Sequence, residues 1–397
     1  MQVCKEKVKN ILLIIHKLNG GGAERCTSNL SVELNKHYNV FLVLFDGNNI
    51  TYPYSGTLLD LKIPMANTPF QQVINFVKRI YRIRQIKKKY RIDCAISLLD
   101  GPNNVNVLSM VGERTIVSIR NCLSKEHMSK IRRWFIKFAS RRSDVTIALS
   151  RYVKYDLVKN FGVREDKIIP IYNHIDRGLL DELIDKEYRE YSKDVFKFVT
   201  MGRLHHQKGQ WHLLKAFSMV VKEHPNAYLD ILGDGDYMQR LKELSKNLGI
   251  ADHVKFLGYV ENPHVYLKAS DVFVFPSLYE GLGNVLLEAL AYNLPIVSTD
   301  CEAGPREILA PDTDMQYSCG NIEYAKYGIL VPAFDNSEDF STIVNDKERT
   351  LAKAMNILIE DKKLLTKYRN SAPERVRDFD KHTIISQWIE VINSAGV

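Results

Sequence analysis

Apolar residues occur in short runs along the whole chain, and stretches with helical spacing separate them. Ile11 to Ile15, Phe196 to Met201 and the end of Asp271 to Pro276 are near-continuous apolar runs, the pattern of parallel strands covered on both faces. Glycine-bearing loops follow, then amphipathic segments beginning near Ala23, at Gly209 to Val220 and at Asn284 to Tyr292. This repeated alternation predicts an α/β chain of two doubly wound domains, residues 1–175 and 195–379, joined by a polar linker at 176–194. A terminal helix over 380–397 has an apolar face of Ile384, Ile385, Trp388 and Ile389. A length of 397 residues suits two or three domains, and no short-period repeat or low-complexity tract interrupts them.

Between Asp271 and Asp300 the sequence DVFVFPSLYEGLGNVLLEALAYNLPIVSTD predicts strand, loop, short helix and strand. Ligands of open α/β sheets bind at the carboxyl ends of strands, and a helix start offers unpaired N–H groups to an anion such as phosphate. Glu280 falls in the loop and Glu288 about one turn into the helix, with Gly281 and Gly283 letting backbone approach a ligand. Glu288 suits the two hydroxyls of a ribose, and Glu280 whatever lies beyond the phosphates. A Glu288 that salt-bridges a helix face and a solvated Glu280 fit the same spacing.

The E-x7-E pair resembles the donor-site signature of retaining family-4 glycosyltransferases, which have two Rossmann-like domains in the GT-B arrangement around an interdomain cleft. Four other segments agree. In VTMGRLHHQKGQWHLLKAF, Gly202 turns the strand and the resemblance implies that Arg203 and Lys208 clamp the diphosphate of a nucleotide sugar, acting with Glu280 in catalysis. A departing nucleoside diphosphate gathers negative charge, and fixed cations stabilise it where a metal would otherwise be needed. The resemblance therefore implies no metal and no cofactor beyond the donor substrate, a UDP-sugar. His205, His206 and His212 have no trusted ligand spacing and read as loop and helix-face residues. In LDILGDGD and VKFLGYV it implies that Gly233 opens onto the donor and that backbone from Gly258 through Tyr259 to Val260 reads the base, although ordinary turns also explain these glycines. The amides of Gly281, Leu282, Gly283 and Asn284 would meet the sugar and leaving phosphate. In VKNILLIIHKLNGGGAER, Gly21 and Gly22 would face the transferred sugar; the run is not GxGxxG and supports no dinucleotide site.

On the acceptor side, VSIRNCLSKEH carries Arg120 and Asn121 where many relatives place a histidine, a form similar to bacterial polysaccharide and glycan-assembly members. Arg120 suits a phosphate or sugar hydroxyl, and His127 is a substitute candidate for the missing histidine. Ser150 and Asn173 fall at strand ends that face the cleft in the family, and both also fit helix or turn caps. Gly304, Pro305 and Glu307 in DCEAGPREIL form a turn into the next helix and line the donor side under the same resemblance.

Charge is uneven. Residues 1–175 hold 29 Lys and Arg against 13 Asp and Glu, whereas residues 176–397 hold 26 against 34. The surplus concentrates in two basic amphipathic helices, 71–91 and 130–142. In the first, Val73, Ile74, Val77, Ile80, Tyr81, Arg84 and Ile86 follow a broadly helical pattern; in the second, Trp134, Phe135 and Phe138 accompany the cations. Such helices suit an anionic membrane surface; a core helix with a solvated basic face fits too, and no nucleic-acid-binding motif is present. Six scattered cysteines without a CxxC pair favour a reducing compartment. A polar start and strand-length apolar runs predict a cytoplasmic enzyme, peripheral at the inner membrane face. The expected reaction is retaining transfer of a hexose or N-acetylhexosamine from a UDP-sugar to a lipid-linked glycan acceptor on a polyprenyl diphosphate, or to a polysaccharide. A non-hydrolysing UDP-sugar epimerase and a catalytically silent subunit of a glycan-assembly complex are the competing readings.

Overall fold

Apolar side chains on both faces of a strand require a helix layer over each, and the structure meets that requirement twice. It is a computed structural model describing residues 8–125, 128–184 and 195–394. The chain divides into one unit of residues 1–173 with 382–397 and another of residues 174–381.

In the first unit, β1 (Asn10–Ile15), β2 (Asn39–Leu44), β3 (Thr57–Asp60), β4 (Cys94–Leu98), β5 (Arg114–Ile119), β6 (Val145–Ala148) and β7 (Ile168–Pro170) form a parallel sheet ordered β3-β2-β1-β4-β5-β6-β7. The two-residue period of β1 sends Ile11, Leu13 and Ile15 to one face, against Ile384, Trp388 and Ile392 of the helix Lys381–Asn393. Leu12 and Ile14 go to the other, with Val43, Phe45 and Ile83.

In the second unit, β8 (Phe196–Met201), β9 (Ala227–Leu232), β10 (Val254–Gly258), β11 (Val272–Phe275), β12 (Ile296–Thr299), β13 (Glu323–Tyr324) and β14 (Ile329–Val331) are ordered β10-β9-β8-β11-β12-β14-β13. Among the strand pairs of the described residues in this sheet, β13–β14 alone is antiparallel. Strand order reverses between β1 and β4 and between β8 and β11, and at such points successive connections leave in opposite directions and open a crevice at the carboxyl ends.

Two sequence expectations change. The stretch read as a linker contains the helix Arg177–Ile184 in its first half, and residues 185–194 lie outside the described residues. The first basic helix, Pro69–Lys89, is capped by Thr68, but its apolar pattern is split between two faces. Phe70, Val73, Val77 and Tyr81 point outward, 58–78% exposed, while Asn75, Arg79, Ile83 and Lys87 are buried. In the second, Lys130–Arg142, Ile131 and Trp134 are exposed and Ile136 is buried.

The buried cations are satisfied individually. Arg79 donates to the carbonyls of Ile63 and Pro64 and lies over the Phe45 ring at 4.6 Å. Lys87 is wholly buried, with Nζ 2.6 Å from Glu113 Oε1 and 2.8 Å from both the side-chain and the main-chain oxygen of Asn106. Burial lowers its pKa from 10.5 to about 8, and the Glu113 carboxylate opposes that shift. Asn106 donates in turn to Ala95 O and Ile116 O, and Asn103 to Ser118 O, so the helix Asp100–Leu108 is bonded down onto β4 and β5. Lys87→Met leaves the Glu113 carboxylate buried without its cation, and equilibrium denaturation should show a loss of about 3–5 kcal/mol.

Candidate functional site

The loops leaving β8 and β11 meet at the second unit's switch point. Gly202 N donates to Leu232 O and Gly233 N to Gly258 O, so the ends of β8, β9 and β10 are stitched by backbone bonds. At Gly233 (φ +126°) a Cβ would lie 2.0 Å from Gly202 O, so only glycine permits this approach. After β11, Ser277 O accepts from Thr299 Oγ1 at 2.6 Å, Leu278 N donates to Gln207 O at 2.8 Å, and Gln207 Nε2 donates to Tyr279 O at 2.8 Å. Glu280 N donates to Glu302 O at 3.2 Å. The segment that carries Glu280 is thus tied to the loops after both neighbouring strands.

Glu280 and Glu288 are both buried, at 6% and 7% exposure. Lys208 reaches Glu280 across the switch point, Nζ to Oε1 2.5 Å, with its ammonium 5.6 Å from the centroid of the Phe275 ring. Arg203 is exposed, and its guanidinium makes no hydrogen bond or ion pair among the described residues. Glu288 is the fifth residue of the helix Asn284–Ala291, which opens at Gly283; Gly281 and Leu282 are buried beside it. Tyr259, after Gly258 at the end of β10, is 82% exposed, and Val260 follows it half-buried. Sequence reasoning missed the tethers Gln207 and Glu302, and also Cys301. Burial first, and then the Glu280 charge, push the Cys301 thiol well above its ordinary pKa, so it is inert at neutral pH.

The three histidines after β8 do not converge. His205 accepts from Gln207 N at 3.1 Å, His206 Nε2 lies 2.8 Å from Asn336 O, and His212 Nδ1 lies 2.6 Å from Glu348 Oε1. Two groups of side chains among the described residues have metal-holding geometry, Glu223–His224–Glu360 and Asp300–Cys319–Glu323. In the second, the Arg306 guanidinium already bonds both carboxylates, at 2.6 and 2.7 Å. Pro305 and Glu307 lie in the short helix Pro305–Leu309 that Gly304 precedes, both buried.

In the first unit the helix Gly22–Leu34 starts after Gly21, where the Glu24 carboxylate fills the space a Cβ would need. Arg120 donates to Asn173 Oδ1 and to Ser118 Oγ, the latter at 3.4 Å, so two sequence candidates meet. Asn121 is half-buried beside Arg120. Ser150 is fully buried and accepts from Val153 N at 3.1 Å, which makes it the cap of the helix Arg151–Phe161. His127 lies outside the described residues. Two features at this switch point left no sequence signal. Leu99 holds φ +77°, a strained value for a branched residue, where the chain leaves β4. His16, after β1, is kept neutral by burial and by the nearby Arg79 and Lys17 cations, which lower its pKa to about 4.

Residues 20–179 match the family described as Glycosyltransferase Family 4, and residues 182–375 match Glycosyl transferases group 1. An uncharacterised glycosyltransferase of Methanocaldococcus jannaschii is 35% identical over 345 residues, covering 81% of this chain and 84% of that protein. The N-acetylgalactosamine-N,N'-diacetylbacillosaminyl-diphospho-undecaprenol 4-alpha-N-acetylgalactosaminyltransferase of Campylobacter jejuni is 28% identical, covering 93% of this chain and 95% of that one. Among solved structures, Anabaena HepE in complex with UDP superposes with a TM-score of 0.74 at 20% identity, covering 98% of this chain and 100% of that chain. Both sheets and both matched regions accord with that fold, and the chain belongs to the family-4 glycosyltransferases, enzymes of the GT-B fold related to those of bacterial polysaccharide and lipid-linked glycan synthesis.

Proposed function

We propose that the protein transfers a hexose or N-acetylhexosamine from a UDP-sugar, with retention and without a metal ion, to an acceptor linked to polyprenyl diphosphate or to a polysaccharide. The observation that supports this reading is the meeting of the loops after β8 and β11, where Lys208 pairs with the buried Glu280 just before the helix Asn284–Ala291 that carries the buried Glu288, while Arg203 stands exposed on the same loop as Lys208. The name of the Campylobacter relative, with its diphospho-undecaprenol and N-acetylgalactosamine, and the UDP bound to Anabaena HepE support the acceptor class and the nucleotide.

In the proposed reaction the bond from the anomeric carbon to the diphosphate oxygen breaks while an acceptor hydroxyl bonds to that carbon on the same face. The hydroxyl proton passes to the departing phosphate oxygen, so no carboxylate nucleophile is required. Arg203 and Lys208 hold the diphosphate as its charge grows, with the amides of Gly281 to Asn284 on the leaving phosphate. Glu288 takes the ribose hydroxyls, Glu280 the sugar, and the backbone from Gly258 to Val260 the base. In the first unit, Arg120, set by Asn173, serves the acceptor.

We also place the first unit on an anionic bilayer, as a peripheral enzyme at the inner face of the membrane. The helices Pro69–Lys89 and Lys130–Arg142 contain no acidic residue, and they expose Phe70, Val73, Val77, Ile131 and Trp134 among their cations. Exposed apolar side chains within a basic field suit the boundary between headgroups and acyl chains. No helix among the described residues is long and apolar enough to cross a membrane.

Lys208→Ala should lower transfer from the UDP-sugar at least about a hundredfold without loss of fold, as the loss of a transition-state charge donor does. Turnover close to that of the unaltered enzyme would refute the clamp. Transfer should proceed equally in magnesium and in EDTA, and a chelator-sensitive rate restored by magnesium would overturn the metal-free reading. In sedimentation with phosphatidylserine vesicles, Arg82→Ala and Lys88→Ala should each weaken binding roughly fivefold, about 1 kcal/mol per surface cation. Equal binding to neutral and anionic vesicles would contradict the bilayer proposal.

A further inference from the structure

The chain leaves β12 at Asp300 and turns back against the loop that carries Glu280. Glu302 and Tyr279 pair as an isolated bridge, Glu302 O accepts the Glu280 N–H, and a Cβ on Gly304 would lie 2.0 Å from Leu282 O. This turn is strained. Ala303 holds φ +61°, a left-handed value that a residue with a Cβ seldom adopts, and Gly304 follows at φ +104°, a value open to glycine. Something must hold it in place.

Arg306 is the restraint. Its Nε lies 3.1 and 3.2 Å from the two Asp300 oxygens and its Nη2 2.6 Å from Asp300 Oδ2, so the turn is closed by a side-chain fork across its two ends. The same guanidinium reaches Thr313 Oγ1 at 3.0 Å and both Glu323 oxygens at 3.1 and 2.7 Å. Asp300 Oδ2 also accepts from Cys319 N at 2.7 Å, and the Tyr317 ring centroid lies 4.8 Å from the guanidinium carbon. Arg306 and Asp300 are 4% and 5% exposed.

We propose that Arg306 is a positioning residue for the donor loop, fixing the Asp300–Gly304 turn so that Glu280 and Leu282 hold their places against the nucleotide sugar. A buried ion pair by itself contributes little net stability, because desolvation of both charges offsets their attraction. What the planar fork supplies, and an apolar residue cannot, is direction at both ends of a strained turn. The inference rests on the donor-site reading of that loop, and its mechanical part is testable without any donor.

The experiment compares Arg306→Met and Arg306→Lys with the unaltered full chain by amide hydrogen exchange without ligand, by titration calorimetry with UDP and by thermal unfolding. Exchange over residues 278–284 should quicken about tenfold or more in both variants, as the loss of charge-assisted hydrogen bonds does, while β8 and β9 keep their protection. UDP affinity should fall about tenfold in both variants. Arg306→Lys should recover most of the thermal stability but neither the exchange protection nor the affinity, which separates direction from charge. Unchanged exchange over 278–284, or full recovery of affinity by lysine, would overturn the proposal. Should Arg306→Met not fold, Glu323→Gln removes only an outer partner of the guanidinium, and it must still quicken exchange over the same segment. Failure of the unaltered protein to bind UDP would refute the donor reading itself, and the exchange data would decide the positioning claim separately.

Discussion

The second unit is organised around one ion pair, Lys208 against Glu280, which joins residues 72 apart in the chain at the carboxyl ends of two central strands, β8 and β11. Both side chains are largely withdrawn from water, with 19% and 8% of their surface exposed, so neither is removed without leaving the other uncompensated. The pair also locks the loop after β8 to the loop after β11, work shared with Gln207. In the proposed reaction a diphosphate arriving at these strand ends would offer the ammonium a second anion without a long movement of either side chain. In the reaction proposed above, a geometry that exists before any ligand binds would leave little reorganisation to oppose charge development in the transition state.

The two sheets reverse strand order at equivalent points, yet they carry different chemistry there. The second unit places a cation and one carboxylate on glycine-lined loops and a second carboxylate on the helix that follows, an arrangement that on the proposed reading suits a nucleotide. The first places the Arg120–Asn173 pair, a neutral imidazole at His16 and a strained Leu99, with no buried ion pair of the Lys208 kind at the strand ends described. Repeated architecture thus supplies the crevice, and the loop residues decide what each crevice recognises.

What the sequence disclosed follows the range of the interactions involved. The apolar runs of β1, β8 and β11, their glycines and the helices after them are local patterns, and they were legible in full. The Glu280 to Glu288 spacing was legible too, because both residues lie on one loop-helix unit. Tethers were not. Gln207 reaches Tyr279 and Arg306 reaches Glu323 through folding, and no spacing announces either contact. Ser150 was legible only as two alternatives, and the bond from Val153 N makes it a helix cap. Periodicity located the helix Pro69–Lys89 but left open which of its residues face the core, since two stripes compete and a hydrophobic count cannot choose between them.

That choice of face is itself informative. Turned the other way, the helix would bury Val73, Val77 and Tyr81 and leave its cations in water, which simple transfer energetics favour. The observed orientation instead buries Arg79 and Lys87, each at a desolvation cost met by carbonyls, the Phe45 ring, Asn106 and Glu113. It leaves Phe70, 78% exposed, on the outer surface with Val73 and Val77. An outward face of this composition is unfavourable against water alone. Against an anionic bilayer the balance reverses: the apolar side chains leave water at the headgroup boundary, the flanking cations meet lipid phosphates, and the cost of internal satisfaction has already been met within the fold. Under the bilayer proposal, the polar layer beneath this helix is what frees its outer face for the membrane.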